Sequence, residues 1–207
     1  MSKLILHIDG SEVVRKNDRT RFSGWSVISL HGDELHETSG CMSSDRNDPL
    51  SGYHEQIAFV NGVLYAHDKG FDFKNVNIFC DDECFGNGPS YLHMENYRAV
   101  QSERLMDRLA HVVKHCFEPR ALALTLQAFD QCMITKVKGH SHHVYQERAD
   151  CLAKFAATQK SQNEENKLAL PFEDWLKQGI PYCKVVDGVR VFDTWFAPFV
   201  EVKKENK

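Results

Sequence analysis

Leu4-Ile5-Leu6-His7-Ile8-Asp9-Gly10-Ser11 is an apolar, β-branched run that ends on an acid and a turn-prone pair. Its composition predicts a strand over 3–9 that stops at Gly10-Ser11. A second run of the same kind, Val76-Asn77-Ile78-Phe79-Cys80, also ends on an acid, Asp81. Between the two, Glu55 opens a segment in which Ile57, Val60 and Leu64 recur at helical spacing. A fourth acid, Asp150, lies in Gln146-Glu147-Arg148-Ala149-Asp150-Cys151-Leu152-Ala153, ten residues beyond His140. A strand Asp, a helix Glu, a second strand Asp and a helix Asp can converge in a folded sheet. Oxygen ligands grouped in that way suit hard divalent cations.

Outward from this frame, Gly24 to Leu30 and Glu34 to Cys41 read as two further strands, antiparallel to each other and to the first. The helical crossover from Glu55 to Ala66 suits a strand at 76–81 added parallel to the first. Leu105, Leu109, Val112, Val113 and Phe117 mark a helix ended by Pro119, and residues 121–129 a second one. Cys132 to Val137 reads as the last core strand. Ala149, Leu152, Ala153 and Ala156 give the next helix an apolar stripe. The polar run from Thr158 to Lys167 reads as a linker. Beyond it Trp175, Tyr182, Phe192, Trp195, Phe196 and Phe199 make a tail too aromatic to be solvated. Packing on the main domain is the first expectation for that tail, and a contact surface for a protein partner the second.

At 207 residues, 42% hydrophobic and 26% charged, the chain has the make-up of a globular protein able to bury a core. No apolar stretch reaches the length of a membrane span, which argues against a membrane partner. The seven cysteines, odd in number and irregularly spaced, suggest reduced thiols and a cytoplasmic location. A net charge of −4 runs against the basic footprint usual in nucleic-acid binders. Clustered metal-binding carboxylates would lower the formal count, and bound cations would invert the local field.

The order of elements, with acids at these positions, resembles the type 1 ribonuclease H family. Asp9-Gly10-Ser11 followed by Gly24-Trp25-Ser26-Val27-Ile28 is similar to that family's first hairpin, and Glu55 after a polar loop resembles its second acid. Val137-Lys138-Gly139-His140, then Glu147-Arg148-Ala149-Asp150 leading into Leu152-Ala153, is similar to its C-terminal signature in type and spacing. The resemblance implies an α/β fold: a ribonuclease H-like mixed five-stranded sheet with flanking helices over 1–157. A linker at 158–168 and a short C-terminal appendage at 169–207 would follow.

The family's activity implies hydrolysis of the RNA strand of RNA–DNA hybrids, with the hybrid as partner and two Mg²⁺ ions, or Mn²⁺, as cofactors. Asp9 would bridge both ions, Glu55 and Asp81 would hold the one at the leaving group, and Asp150 the one at the nucleophile. His140 would carry a proton, and Glu147 would be an auxiliary acid. Asp82 stands open as the third ligand instead of Asp81, because a slip of one residue exchanges the faces of a strand.

The chain departs from the family at two places. Leu50-Ser51-Gly52-Tyr53-His54 stands where the family has a Thr-Asn-Asn-type grip, and Asp82-Glu83 where it commonly has Ser-Gln. A non-cleaving module of the same fold, binding nucleic acid or protein, is the alternative these changes favour. A zinc site from Cys80, Cys84 and the histidines at 140–143 has an unusual ligand spacing and no second paired motif.

Overall fold

β1, Leu4–Val14, is apolar on both of its faces near its start, and it becomes the middle strand of a five-stranded sheet. The computed structural model describes residues 3–44, 52–81, 95–137, 143–163, 167–177, 184–186, 189–191 and 199–201. β1 pairs antiparallel with β2, Arg21–His31, which pairs antiparallel with β3, Glu34–Ser44. On its other side β1 pairs parallel with β4, Val76–Cys80, and β4 pairs parallel with β5, Met133–Lys136. The order β3-β2-β1-β4-β5, with helices on both faces, is the expected ribonuclease H-like α/β architecture.

Helices cover both faces of the sheet, and this is why β1 can be apolar on both sides. α1, His54–Asp68, packs Ile57, Val60 and Val63 against Leu4, Leu6 and Ile8. It is buried nearly all round, since α2, Glu95–Cys116, and α3, Arg120–Gln131, lie on its outer side. α4, Val144–Gln162, crosses the opposite face and sets Ala149 and Leu152 against Ile28. Ser26 Oγ donates to the Ala149 carbonyl at 2.7 Å in this buried contact.

β1 does not end at Asp9 as the sequence suggests. It runs on through Gly10-Ser11 to Val14, paired with β2 down to Arg21. Gly10 is a site of close approach and not a turn: a Cβ there would collide with the backbone of His54 and Glu55 in the first turn of α1. Gly24 on β2 does the same for α4, where a Cβ would strike the Ala153 carbonyl. The reversal comes later, at Arg15–Thr20, where Asp18 accepts from Arg15 and from the Thr20 N–H.

Two other boundaries move. α2 begins at Glu95, ten residues before Leu105, because residues 95–104 have little apolar periodicity to reveal a helix. The linker expected at 158–168 is instead helical through Gln162, and β6, Lys167–Ala169, already forms a strand. Polarity there marks the solvent side of α4, whose inner side continues through Ala156, Ala157 and Ser161. Asn163, in a left-handed conformation at φ 54°, closes the helix.

The tail then returns to the domain. β6 pairs antiparallel with β9, Phe199–Glu201. α5, Phe172–Lys177, buries Trp175 completely, and β7, Lys184–Val186, pairs with β8, Val189–Val191. Among the described residues no helix is long and apolar enough to cross a membrane.

The Gly10 contact makes a direct test. Gly10→Ala is expected to destabilise the chain by about 1–3 kcal/mol, as overpacking of a closed contact does, read from the urea unfolding midpoint.

Candidate metal centre

The site forms where the parallel pair β1–β4 meets the start of α1. His7 lies opposite Phe79, so continuing that register by two residues sets Asp81 level with Asp9. The period of two then places both carboxylates on one face. Glu55 is in the first turn of α1, close over β1, and its Oε2 accepts from the Gly10 N–H at 3.1 Å. Carboxylate oxygens of Asp9, Glu55 and Asp81 lie within 4.8 Å of one another. Asp82 and His140 fall outside the described residues.

Asp9 is 3% exposed, and its carboxyl is held well above the usual carboxylate range. Burial is the largest cause, followed by the charges of Glu55, Asp150 and Asp81. Asp150, from α4, therefore belongs to the same electrostatic cluster, although the tight trio does not include it. An all-oxygen set with one buried and two half-buried acids fits a hard divalent cation, which would relieve the repulsion. Cys80 points the other way, into the core, and does not face this group.

Several residues that the sequence did not single out hold these acids. Gln146 Nε2 donates to the Ile8 carbonyl at 2.8 Å and reaches Asp9 Oδ1 at 3.4 Å. It precedes Asp150 by four residues, so both project from one side of α4; that spacing was the available signal. Glu12 on β1 accepts from the Gly52 N–H at 3.2 Å and pairs with Arg21 at 2.5 Å. Arg108 on α2 donates to the Gly52 carbonyl at 2.5 Å and to Gln56 Oε1 at 3.0 Å. Its guanidinium lies 4.7 Å from the Tyr53 ring centroid, and His111 stacks on Tyr53 at 5.1 Å. Gly52 and Tyr53 are thus fastened from both sides just ahead of Glu55.

Glu147 is buried, at 2% exposure, and is no solvated first-turn charge. His143, at the start of α4, packs 4.7 Å from His7. His7 itself, directly behind Asp9 on β1, stacks on Phe79 at 4.8 Å.

No protein-family model matches the chain, and no curated protein matches it. Among solved structures it is similar to RNase H1 from the halophilic archaeon Halobacterium salinarum NRC-1. That likeness has 21% identity and a TM-score of 0.44, covering 75% of this chain and 98% of that one. It is similar also to LC11-RNase H1 in complex with RNA/DNA hybrid, at 17% identity and TM-score 0.44, covering 76% of this chain and 99% of that one. LC9-RNase H1, a type 1 RNase H with the type 2 active-site motif, gives 16% identity and TM-score 0.47, covering 97% and 89%. The ribonuclease H-like fold follows from the chain's own strand order, β3-β2-β1-β4-β5.

Burial, reinforced by His143, lowers the pKa of His7 from 6.5 to about 4, while Gln146 acts in the opposite sense. The folded chain keeps His7 neutral through a window in which an unfolded chain takes up a proton, so acidification through that window favours unfolding. This group alone should remove roughly 3 kcal/mol of stability between pH 6.5 and 4. His7→Phe, which keeps a ring on Phe79, should show a shallower loss than the parent when urea midpoints are compared at those two pH values.

Proposed function

We propose that this chain is a metal-dependent endonuclease that hydrolyses the RNA strand of RNA–DNA hybrids. The observation that carries this reading is the convergence of Asp9, Glu55 and Asp81 within 4.8 Å, with the charge of Asp150 acting on Asp9. Four acids held against their own repulsion are costly for a site with only a structural task. The motifs shared with type 1 ribonuclease H supply the substrate class, and duplex shape with the 2′-hydroxyl would supply the selectivity.

Asp9, Glu55, Asp81 and Asp150 would hold two Mg²⁺ or Mn²⁺ ions. Such ions supply Lewis acidity at the scissile phosphate and lower the pKa of the attacking water. The chain's own part is to fix oxygen positions in advance. Gln146 Nε2 reaches Asp9 Oδ1, and the Gly10 N–H orients Glu55. Glu12 and Arg108 hold the Gly52–Glu55 turn so that Glu55 does not swing away. His140, as the resemblance implies, would carry a proton, a task suited to a group titrating near neutrality.

One observation favours a second reading, a module of this fold that binds without cutting. Tyr53 lies in the stretch that stands where the family has an amide-rich grip, and its ring is committed to Arg108 and His111.

Cleavage of labelled RNA–DNA hybrid, duplex RNA and duplex DNA with Mg²⁺ separates the two. Hybrid-selective cutting by the parent, lost in Asp9→Asn, is the expected result. Tight binding without cutting in both Mg²⁺ and Mn²⁺ would establish the binding module instead.

A further inference from the structure

The C-terminal segment is joined to the helix that carries Asp150 through a charged side chain with no exposure at all. Arg148, two residues before Asp150, is fully buried and donates to both carboxylate oxygens of Glu37 on β3, at 2.7 and 2.8 Å. Its Nη2 also donates to the Leu170 carbonyl at 2.5 Å, and its guanidinium lies 5.3 Å from the ring centroid of Trp175. Arg148 therefore bridges sheet, α4 and tail at one point. A planar, always-charged fork buried in this way holds direction as well as position.

A line of rings forms a second connection. Trp175 packs on Phe172 at 5.9 Å, and Phe172 stacks on Tyr145 at 5.6 Å with the planes 17° apart. Tyr145 lies 5.5 Å from His7, which stacks on Phe79. His7 and Phe79 each stand two residues before an acid of the trio, Asp9 and Asp81. The tail thus touches the strands that present the acids by way of the first turn of α4. Trp175 has no exposed surface to offer a partner protein.

We infer that residues 170–175 are a built-in brace of the metal site, with Trp175, Phe172 and Arg148 as positioning residues that fix α4 against β1. The brace sets where Asp150 and Gln146 stand relative to Asp9. Removing it loosens cation binding while leaving the hybrid-binding surface in place. The inference rests on the nuclease reading for its kinetic consequences and not for its metal-binding ones.

The test uses the full chain with Trp175→Ala and Trp175→Phe, well below their melting temperatures. Calorimetric Mn²⁺ titration of the protein alone should show binding weakened about tenfold or more in Trp175→Ala, as loss of an outer support does, and restored in Trp175→Phe. Amide exchange over 146–152 should quicken in the same variant. In hybrid cleavage, kcat should fall and the Mg²⁺ requirement rise with KM for hybrid unchanged. Should Trp175→Ala not fold, Phe172→Leu removes the stack on Tyr145 while keeping apolar bulk, and the same changes are expected of it. Lower melting with unaltered Mn²⁺ affinity and unaltered exchange in α4 would overturn the brace. Weakened Mn²⁺ binding in a chain whose parent cuts no nucleic acid would uphold the brace and remove the nuclease reading.

Discussion

Mutual repulsion among carboxylates at one end of the sheet is the constraint around which this structure is arranged. Asp9 is almost fully buried beside Glu55 and Asp81, and Asp150 adds its charge from the other face. A carboxylate in that position is unfavourable twice over, through lost hydration and through like charges. The chain keeps it there by making everything around it hard to move. β1 is the central strand, paired on both edges and covered on both faces, so Asp9 cannot retreat to solvent without opening the sheet.

The supporting parts follow from that choice. α1 must come near enough to β1 for Glu55 to reach the cluster, and Gly10 provides the space together with an N–H that donates to its carboxylate. α4 must come equally near on the far side, and Gly24 and Ser26 make that contact. Gln146, Glu12 and Arg108 then fix the carboxylates or the turn preceding them. The tail closes the back of α4 through Arg148 and Trp175, a task for which the polarity of 158–167 gave no hint.

Most of the sheet could be read from the chain because its strands and helices differ in period and in β-branched content. The four acids stand out in the chain because two close apolar strand runs and two lie in helical segments. Gly10 was misread because the same residue serves a turn and a close helix contact, and only the second strand's pairing decides between them. The start of α2 and the last turn of α4 were hidden by polar composition, which reports the solvent side of a helix as readily as a linker. Gln146 and Arg108 were missed for a different reason. Their partners are 138 and 56 residues away, and no local pattern records such a contact.

The central claim is that the acid cluster on its own works against folding and that a divalent cation reverses this. Thermal unfolding of the parent and of Asp9→Asn, each with and without Mg²⁺ at neutral pH, measures it directly. Asp9 has a raised pKa, so stability from its neutral form is lost as pH rises, and Asn keeps the neutral form throughout. The account predicts that Asp9→Asn melts several degrees above the parent without Mg²⁺, a gap of about 1–2 kcal/mol, and that Mg²⁺ raises only the parent. A metal-free Asp9→Asn protein less stable than the parent, or an equal response of both to Mg²⁺, would contradict it.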